Sequence, residues 1–218
     1  MKIQIVGHRG AKGHEPENTL LGFKKAIKLG CDYIEVDIQL SKDGVPVVFH
    51  DILLNQLTNG KGKLSNKTLS ELKKIRTKNK NQQIPTLEEI FKELKGKTKF
   101  VLDIKGTKPT KKVLEIIKKY KLEKDVMITS FKTKVLLQTK KETPKIKTAL
   151  LWDLTSRTRH KVGVENKFKL LKRIGATAIY PSKQYISKRF VKNANNQGLE
   201  VYTYLGNSEK TIKKLIEY

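Results

Sequence analysis

The sequence predicts an α/β fold built on a parallel β-sheet. From residue 100 onward, short apolar segments alternate with longer amphipathic segments, the pattern of strands followed by helices. Glycine follows two of the predicted helices, at Gly30 and Gly198, where a helix commonly stops. This alternation indicates a parallel sheet, either closed as a barrel or open and doubly wound. No low-complexity linker interrupts it, so residues 1–218 are expected to form a single domain.

The elements follow one another along the chain. Residues 3–7 are predicted as the first strand, and Asn18 or Thr19 is expected to cap the helix that follows. Residues 33–51 read as two extended segments joined by a turn. The remaining elements are a loop at 52–66, a helix at 68–75, a helix opening at 84–87, strands at 100–105, 126–131, 146–152, 177–181 and 200–205, and helices at 110–120, 133–142, 164–174, 187–197 and 208–217.

Composition limits the classes of protein to which this chain can belong. Charged residues make up 31% of the chain and hydrophobic residues 37%, and no apolar run approaches membrane-spanning length. Met1-Lys2 leads directly into a predicted strand instead of a signal peptide, so we expect a cytoplasmic protein. The single cysteine, Cys31, agrees with a reducing compartment and is expected to be a small buried residue.

The formal net charge of +26 is the unusual feature of the composition. Such a field attracts nucleic acid, anionic membranes or phosphorylated substrates. The lysines are spread over most segments, and no basic and aromatic platform for single strands is visible. We therefore expect no specific nucleic-acid partner, interpret most lysines as solvated helix faces, and retain weak association with anionic membranes as a secondary effect.

Polar residues that could take part in catalysis or metal binding lie on the predicted strands or at their ends. Glu35 and Asp37 share one face of their strand, because successive side chains alternate. Two neighbouring acids repel, and the usual remedies are a cation, a bound metal or a retained proton. His50 follows the second arm of the hairpin, and Asp103 and Lys105 share a face of the strand at 100–105. In parallel α/β folds the carboxyl ends of the strands carry the chemistry.

The ordered motifs HRG, PENT, IEVDIQLSKDGVPVVFHD, IPTLEEI, LDIK and SF resemble those of the glycerophosphodiester phosphodiesterase family. The resemblance is dense over residues 3–131 and weaker over 132–218. It implies a TIM-type (β/α) barrel with a divalent metal, Mg²⁺ or Ca²⁺. It also implies that a small-molecule glycerophosphodiester is hydrolysed to glycerol 3-phosphate and an alcohol.

The family's functional residues can be matched to positions of this chain. The resemblance implies metal ligands at Glu35, Asp37 and Asp103, a general acid–base pair at His8 and His50, phosphate contacts from Arg9 and Lys105, a phosphate loop shaped by Glu17 and Asn18, and an aromatic wall at Tyr204. A carboxylate-bound divalent ion would offset the charge of the diester, and imidazole can both accept and donate a proton near neutral pH.

Two departures from the family pattern affect these expectations. Asp103 stands where the family usually has glutamate, so the metal is expected to sit differently, bind more weakly or use a bridging water. The last family strand is missing before the chain ends at Tyr218, which leaves seven parallel strands, with residues 45–49 as a hairpin partner. Such a barrel would leave a gap or an exposed edge, to be closed by distortion or by a second copy in a homo-oligomer.

Two alternative functions remain open at this point. The first is a lysophospholipase D-type activity of the same site, for which an apolar groove beside the site would be evidence. The second is a non-catalytic binder of anionic lipid or nucleic acid on a degenerate barrel, which the high charge and the missing strand suggest. Neither the alcohol moiety of the substrate nor the physiological metal follows from the sequence.

Overall fold

The structure, a computed structural model, describes residues 3–153, 164–204, 206 and 208–218. Contacts within the chain group it into two compact units, Met1–Val126 and Met127–Tyr218. The single domain expected over residues 1–218 stays a prediction. No helix in the described part of the chain is long and apolar enough to cross a membrane. The cytoplasmic location also stays a prediction.

The first unit contains a parallel sheet with one antiparallel addition. Its strands are β1 (Val6–Gly7), β2 (Tyr33–Leu40), β3 (Pro46–Val48) and β4 (Lys99–Ile104), and its helices are α1 (Leu20–Lys28), α2 (Leu69–Lys74), α3 (Leu87–Leu94) and α4 (Thr110–Tyr120). The central strand, β2, pairs in parallel with β1 and β4. On its far half β2 pairs antiparallel with β3, which closes the predicted hairpin.

The local sequence explains why these elements form. Ile34, Val36 and Ile38 of β2 are fully buried, as expected for a strand whose apolar residues recur at every second position. Thr19, not Asn18, caps α1 by accepting a hydrogen bond from Gly22. Both α2 and α3 begin with capping boxes, in which a threonine and a glutamate three residues later satisfy each other's backbone N–H groups.

The segment between β3 and α3 has a small hydrophobic core of its own. The buried members of this core are Val47, Phe49, Leu54, Leu64, Leu72 and Ile84. The stretch predicted as a loop at 52–66 lies here, and its end forms a short 3-10 turn at Leu64–Asn66. Because Val47 belongs to β3 and Phe49 follows it, this core holds the segment firmly against the hairpin that precedes His50.

The second unit continues the alternation of strands and helices. Its elements are β5 (Val126–Ser130, which starts at the last residue of the first unit), α5 (Thr133–Glu142), β6 (Lys147–Trp152), α6 (Val164–Arg173), β7 (Ala178–Pro181), α7 (Lys188–Asn196), β8 (Glu200–Val201) and α8 (Glu209–Ile216). The four strands pair in parallel in sequence order. The predicted α/β alternation with parallel strands is therefore confirmed in both units.

The first and last strands are shorter than the sequence suggested. In β1 the ladder begins at Val6, and Ile3 and Ile5 before it are exposed, so their apolar character does not reflect burial. In β8 regular pairing ends at Val201, and beyond it only a single bridge joins Tyr204 to Ser182. Within the described residues no strand follows β8, in line with the missing last strand.

Candidate active site

Three buried carboxylates of the first unit converge on one point. Glu35 and Asp37 share a face of β2, and the sheet register places Asp37 directly beside Asp103 of β4. One oxygen from each of the three carboxylates can be chosen so that all lie within 4.8 Å of one another. All three side chains are buried, so their mutual repulsion is weakly screened by solvent. The predicted acidic cluster is therefore assembled in the structure.

The loop after β1 supplies a histidine and an arginine to this cluster. The Arg9 backbone has a φ of 54°, in the left-handed region, and its N–H donates to Glu35 Oε2 over 2.8 Å. That conformation is costly for a residue with a side chain, and its use here orients the loop toward the acids. The neighbouring His8 Nε2 lies 4.0 Å from Glu35 Oε2. A Cβ on Gly10 would lie 2.7 Å from the Gly22 carbonyl carbon, so the tight turn requires glycine.

Two residues of the following loop fix the orientation of Arg9 and Asp37. The Arg9 guanidinium pairs with Glu17 through Nη1 at 2.8 Å, and its Nε lies 3.4 Å from Asp37 Oδ2. Asn18, which is buried, donates from Nδ2 to Asp37 Oδ2 at 2.8 Å and accepts the Asp37 N–H. Asn18 also adopts a left-handed φ of 55°. In this arrangement Asn18 orients a carboxylate of the cluster, and Glu17 orients the Arg9 guanidinium.

Lys105 provides the second positive charge of the site. Its Nζ lies 2.8 Å from Asp37 Oδ1 and also forms an ion pair with Asp103 Oδ2. The other oxygen of Asp103, Oδ1, is buried and has no hydrogen-bond partner among the described residues. A buried carboxylate oxygen without a partner is costly, and in a cluster of acids it indicates a ligand position.

Burial and repulsion separate the pKa values of the three acids. Burial, reinforced by Asp37 and Asp103, raises the pKa of Glu35 well above its ordinary value of 4.5. Burial also raises the pKa of Asp103 to about 6, against the opposing effect of Lys105. Burial would raise the pKa of Asp37 too, but Lys105, His50 and the hydrogen bond from Asn18 hold it below its ordinary value. Full ionisation of all three acids at neutral pH is therefore unfavourable unless a further positive charge is present.

The two histidines of the site have different surroundings. Burial, with the nearby charges of Lys12 and Arg9, lowers the pKa of His8 to about 4, so its imidazole is neutral at pH 7. His50 follows β3, and its Nδ1 is 2.7 Å from Asp51 Oδ1. If Nδ1 carries the proton in this contact, Nε2 is left for a substrate. The charge of His50 helps to lower the pKa of Asp37, so the two side chains belong to the same site.

Gln39 connects the strand of carboxylates to the segment that carries His50. Its Nε2 donates to the backbone carbonyls of Phe49, His50 and Asp51 at 2.8, 3.0 and 2.9 Å. Gln39 continues the alternation of Glu35 and Asp37 on one face of β2. Sequence reasoning noticed this alternation but gave Gln39 no role, and it gave none to Asp51. The available signals were the period of two and the adjacency of Asp51 to His50.

The three carboxylates suit a divalent metal ion. They offer only oxygen ligands, which Mg²⁺ and Ca²⁺ prefer, and one of the three, Asp103, has an oxygen without a hydrogen-bond partner among the described residues. A bound cation would offset the repulsion that raises the pKa of Glu35 and Asp103. The residues therefore fit a carboxylate-bound ion.

The structure brings most of the predicted site residues together in the first unit. These residues are His8, Arg9, Glu17, Asn18, Glu35, Asp37, His50, Asp103 and Lys105. Tyr204 belongs to the second unit, where its hydroxyl donates to the Trp152 carbonyl at 3.2 Å and its ring packs edge-on against Tyr180. Its role as an aromatic wall stays a prediction, as do the individual roles of the other residues.

Comparison with known proteins matches the chain to one family. The model of the Glycerophosphoryl diester phosphodiesterase family matches residues 8–218. The chain is 31% identical to a glycerophosphodiester phosphodiesterase of Caldanaerobacter subterraneus subsp. tengcongensis, over 100% of this chain and 91% of that protein. It is 32% identical to a glycerophosphodiester phosphodiesterase of Bacillus altitudinis, over 98% of this chain and 90% of that protein.

A solved structure agrees with the sequence comparison. The crystal structure of a glycerophosphodiester phosphodiesterase from Thermotoga maritima matches 99% of this chain and 92% of its own, with a TM-score of 0.83 and 28% identity. The predicted fold class, a TIM-type barrel fold without the usual last strand, is confirmed. The prediction of a phosphodiesterase is confirmed as well. Its matched length, its relatives and its fold together show that this chain belongs to the glycerophosphoryl diester phosphodiesterase family.

Proposed function

We propose that this chain hydrolyses glycerophosphodiesters to glycerol 3-phosphate and an alcohol, using a carboxylate-bound divalent ion and two histidines. The observation that carries the proposal is the convergence of three buried acids with His8, Arg9 and Lys105 in one site. Relatives named glycerophosphodiester phosphodiesterases support the same substrate class. A diester substrate is an anion, and the guanidinium and ammonium groups provide charge-assisted contacts for its oxygens.

Glu35, Asp37 and Asp103 are proposed as the ligands of Mg²⁺ or Ca²⁺. When bound, such an ion polarises a phosphoryl oxygen and stabilises charge that develops in the transition state. The chain's own residues prepare this position. Asn18 orients Asp37, and the Arg9 N–H orients Glu35. Lys105 then balances part of the negative charge that remains.

His8 is proposed as the general base and His50 as the general acid. His8 is neutral at pH 7 because burial lowers its pKa to about 4, so it can accept a proton from the attacking oxygen, that of water or of the glycerol 2-hydroxyl. His50 would donate a proton to the leaving alcohol, while Asp51 and Gln39 hold its ring and backbone. Each proton transfer of this kind contributes about 10²–10⁴-fold in rate.

The activity can be tested by release of glycerol 3-phosphate from glycerophosphocholine with added Mg²⁺ or Ca²⁺. His8→Ala and His50→Ala should each lower kcat by about 10²–10⁴-fold while the proteins stay folded. Exposed His14→Ala is the matched control and should leave turnover unchanged. Absence of turnover with every divalent metal tried, in folded protein, would contradict the proposal.

A second substrate separates the two histidine roles. A p-nitrophenyl diester carries a good leaving group, which departs without a proton from the enzyme. His50→Ala should therefore lose much less activity on this ester than on glycerophosphocholine, whereas His8→Ala should lose similar activity on both. The reverse pattern would exchange the roles of the two histidines.

The non-catalytic alternative makes a different prediction. An anion binder on a degenerate barrel would lose affinity steeply with salt and would not respond to His8→Ala. The charged groups that the resemblance implies are all present. Glu35 and Asp37 accept hydrogen bonds from Arg9 and Asn18 that a binder of lipid or nucleic acid would not need. The lysophospholipase D-type alternative concerns the same site, and an exposed apolar pair beside His50 favours it.

A further inference from the structure

An exposed apolar pair lies immediately after the proposed catalytic segment. Ile52 is 68% exposed and Leu53 is 47% exposed, and they follow His50 and Asp51 directly. Ile52 is the most exposed large hydrophobic side chain in the described part of the chain. Single exposed apolar residues are common on protein surfaces, but two adjacent ones directly after a proposed catalytic residue mark an interaction surface more strongly.

The pair is held on a rigid support, which we name the tongue (residues 52–64). Leu53 pairs directly with Lys63 across an antiparallel bridge. The Leu54 N–H donates to the Gly62 carbonyl at 2.9 Å, and the Leu64 N–H donates to the Ile52 carbonyl at 3.1 Å. Leu54 and Leu64 are fully buried in the small core behind β3. The exposed side chains are therefore presented by an anchored segment.

Positive charge accompanies the exposed apolar pair on the tongue. Lys61 and Lys63 are exposed, and neither forms an ion pair with any residue that the structure describes. The segment 52–83 contains a single acidic residue, Glu71. Its basic residues are Lys61, Lys63, Lys67, Lys73, Lys74, Arg76, Lys78 and Lys80. The segment that carries the tongue is therefore strongly basic, like the whole chain with its net charge of +26.

We propose that the tongue docks the enzyme on a lipid surface that contains anionic phospholipid, with Ile52 and Leu53 entering the interface and Lys61 and Lys63 facing phosphate head groups. Apolar side chains flanked by lysines fit this partner, because the interface accepts the first and its negative potential attracts the second. A nucleic acid would use the lysines but would leave the two apolar side chains in water. Docking in this way brings His50 to the lipid surface.

The consequence for substrate choice rests on the proposed function. A diester that remains in the lipid surface, such as a lysophospholipid, would reach the site directly from the docked state. Soluble glycerophosphocholine would reach it from solution without docking. Turnover of the two substrates should therefore respond differently to changes in the tongue.

Vesicle binding tests the docking without any turnover. The full chain would be sedimented in EDTA with vesicles of phosphatidylcholine alone or of phosphatidylcholine with phosphatidylglycerol. The wild type should bind the anionic vesicles and not the neutral ones. Ile52→Ser with Leu53→Ser should weaken this binding at least about tenfold, and Lys61→Glu with Lys63→Glu should do the same.

Matched controls separate the tongue from the overall field. Lys118→Glu with Lys124→Glu makes the same change of net charge at two exposed lysines outside the tongue, where α4 ends and β5 begins. This pair should weaken binding less than about threefold, since the tongue remains intact. Leu29→Ser removes another half-exposed apolar side chain, at the end of α1, and should change nothing. Equal losses in both charge variants, or no binding by the wild type, would overturn the proposal.

Turnover measurements distinguish this proposal from the proposed function. Ile52→Ser with Leu53→Ser should hydrolyse soluble glycerophosphocholine normally and lose at least about tenfold on vesicle-borne lysophosphatidylcholine. Vesicle binding without hydrolysis of any diester would refute the proposed function and leave the docking surface standing. Tongue variants that lose affinity for RNA but keep vesicle binding would assign the surface to nucleic acid and overturn the lipid proposal.

Discussion

Glu35→Gln should stabilise the metal-free protein at neutral pH and remove its stabilisation by metal. In the wild type the Glu35 carboxyl is buried beside Asp37 and Asp103, and its pKa is raised well above 4.5. Glutamine has the same shape, carries no charge and retains an oxygen to accept the Arg9 N–H, which now donates over 2.8 Å. The substitution therefore removes the unfavourable charge and keeps the contact that orients the loop.

The raised pKa sets the size of this effect. The unfolded chain releases the Glu35 proton near pH 4.5, whereas the folded protein holds it to higher pH. Above that pH the folded state loses about 1.4 kcal/mol per pH unit relative to the unfolded chain, so the cost reaches at most about 3.4 kcal/mol at pH 7. Coulomb repulsion between two carboxylates about 5 Å apart gives a similar value, about 3 kcal/mol, at an effective dielectric constant of about 20.

Urea unfolding in EDTA at several pH values between about 4.5 and 7.5 would measure the difference. The advantage of Glu35→Gln should be near zero at the lowest pH and grow with pH, because the wild-type carboxyl is protonated in both states only at low pH. Glu88→Gln is the matched control: its side chain is 43% exposed, and its effect should stay within about 0.5 kcal/mol. An offset that does not vary with pH, or a loss of stability at pH 7, would refute the reasoning.

Adding metal should reduce or cancel the advantage of Glu35→Gln at neutral pH. Mg²⁺ or Ca²⁺ at a hundredfold excess over its Kd should stabilise the wild type by about 2.7 kcal/mol. Glu35→Gln should gain much less, because it offers one charged ligand fewer. Equal gains in both proteins would place the ion away from Glu35.

Four further outcomes follow from the site. Gln39→Leu leaves the carbonyls near His50 without their donor, so it should lower the free energy of unfolding in urea by about 1–3 kcal/mol and affect kcat more than KM. The control Gln138→Leu, on an exposed helix face, should do neither. Asp51→Asn should lower kcat by about tenfold or more and shift its pH profile, since the partner of the His50 Nδ1 changes. Asp103→Glu should tighten Mg²⁺ or Ca²⁺ binding in calorimetry, because it restores the longer side chain that the family usually has at this position. Weaker binding would instead show that the site is built around aspartate. Because the pKa of His8 is about 4, protonation of His8 should not lower kcat/KM until the pH falls below about 5. A fall in kcat/KM near pH 6.5 that disappears in His8→Ala would contradict this.

Local patterns predicted the acids of β2 and the helices well. The period of two placed Glu35 and Asp37 on one face. The helices predicted at 68–75 and from 84–87 correspond to α2 and α3, whose capping boxes the structure added. These features depend on residues that are close in sequence. The same reasoning could not supply the register that sets Asp37 beside Asp103, because pairing between β2 and β4 depends on how the intervening segment packs.

Other features lay beyond local patterns for physical reasons. Asparagine is a common residue at helix caps, but Thr19 caps α1. The Asn18 side chain is hydrogen-bonded to Asp37 instead, a contact that exists only in the folded chain. The apolar residues at 3–5 and the aromatic residues after Val201 suggested longer strands than the ladders provide. The motif resemblance, which covers relations between distant residues, supplied the proposed roles of His8 and His50, which periodicity alone left undefined.

The spacing along β2 has a consequence for how the enzyme can change over evolution. Three polar side chains follow one another at intervals of about 7 Å along this single strand: Glu35, Asp37 and Gln39. Gln39 is hydrogen-bonded to the backbone carbonyls of Phe49 and His50. The surrounding loops can lengthen, shorten or acquire new surfaces without altering these intervals. Preferences for the alcohol portion of the diester can therefore diversify in the loops, while the spacing between the acidic cluster and His50 is inherited from one rigid element.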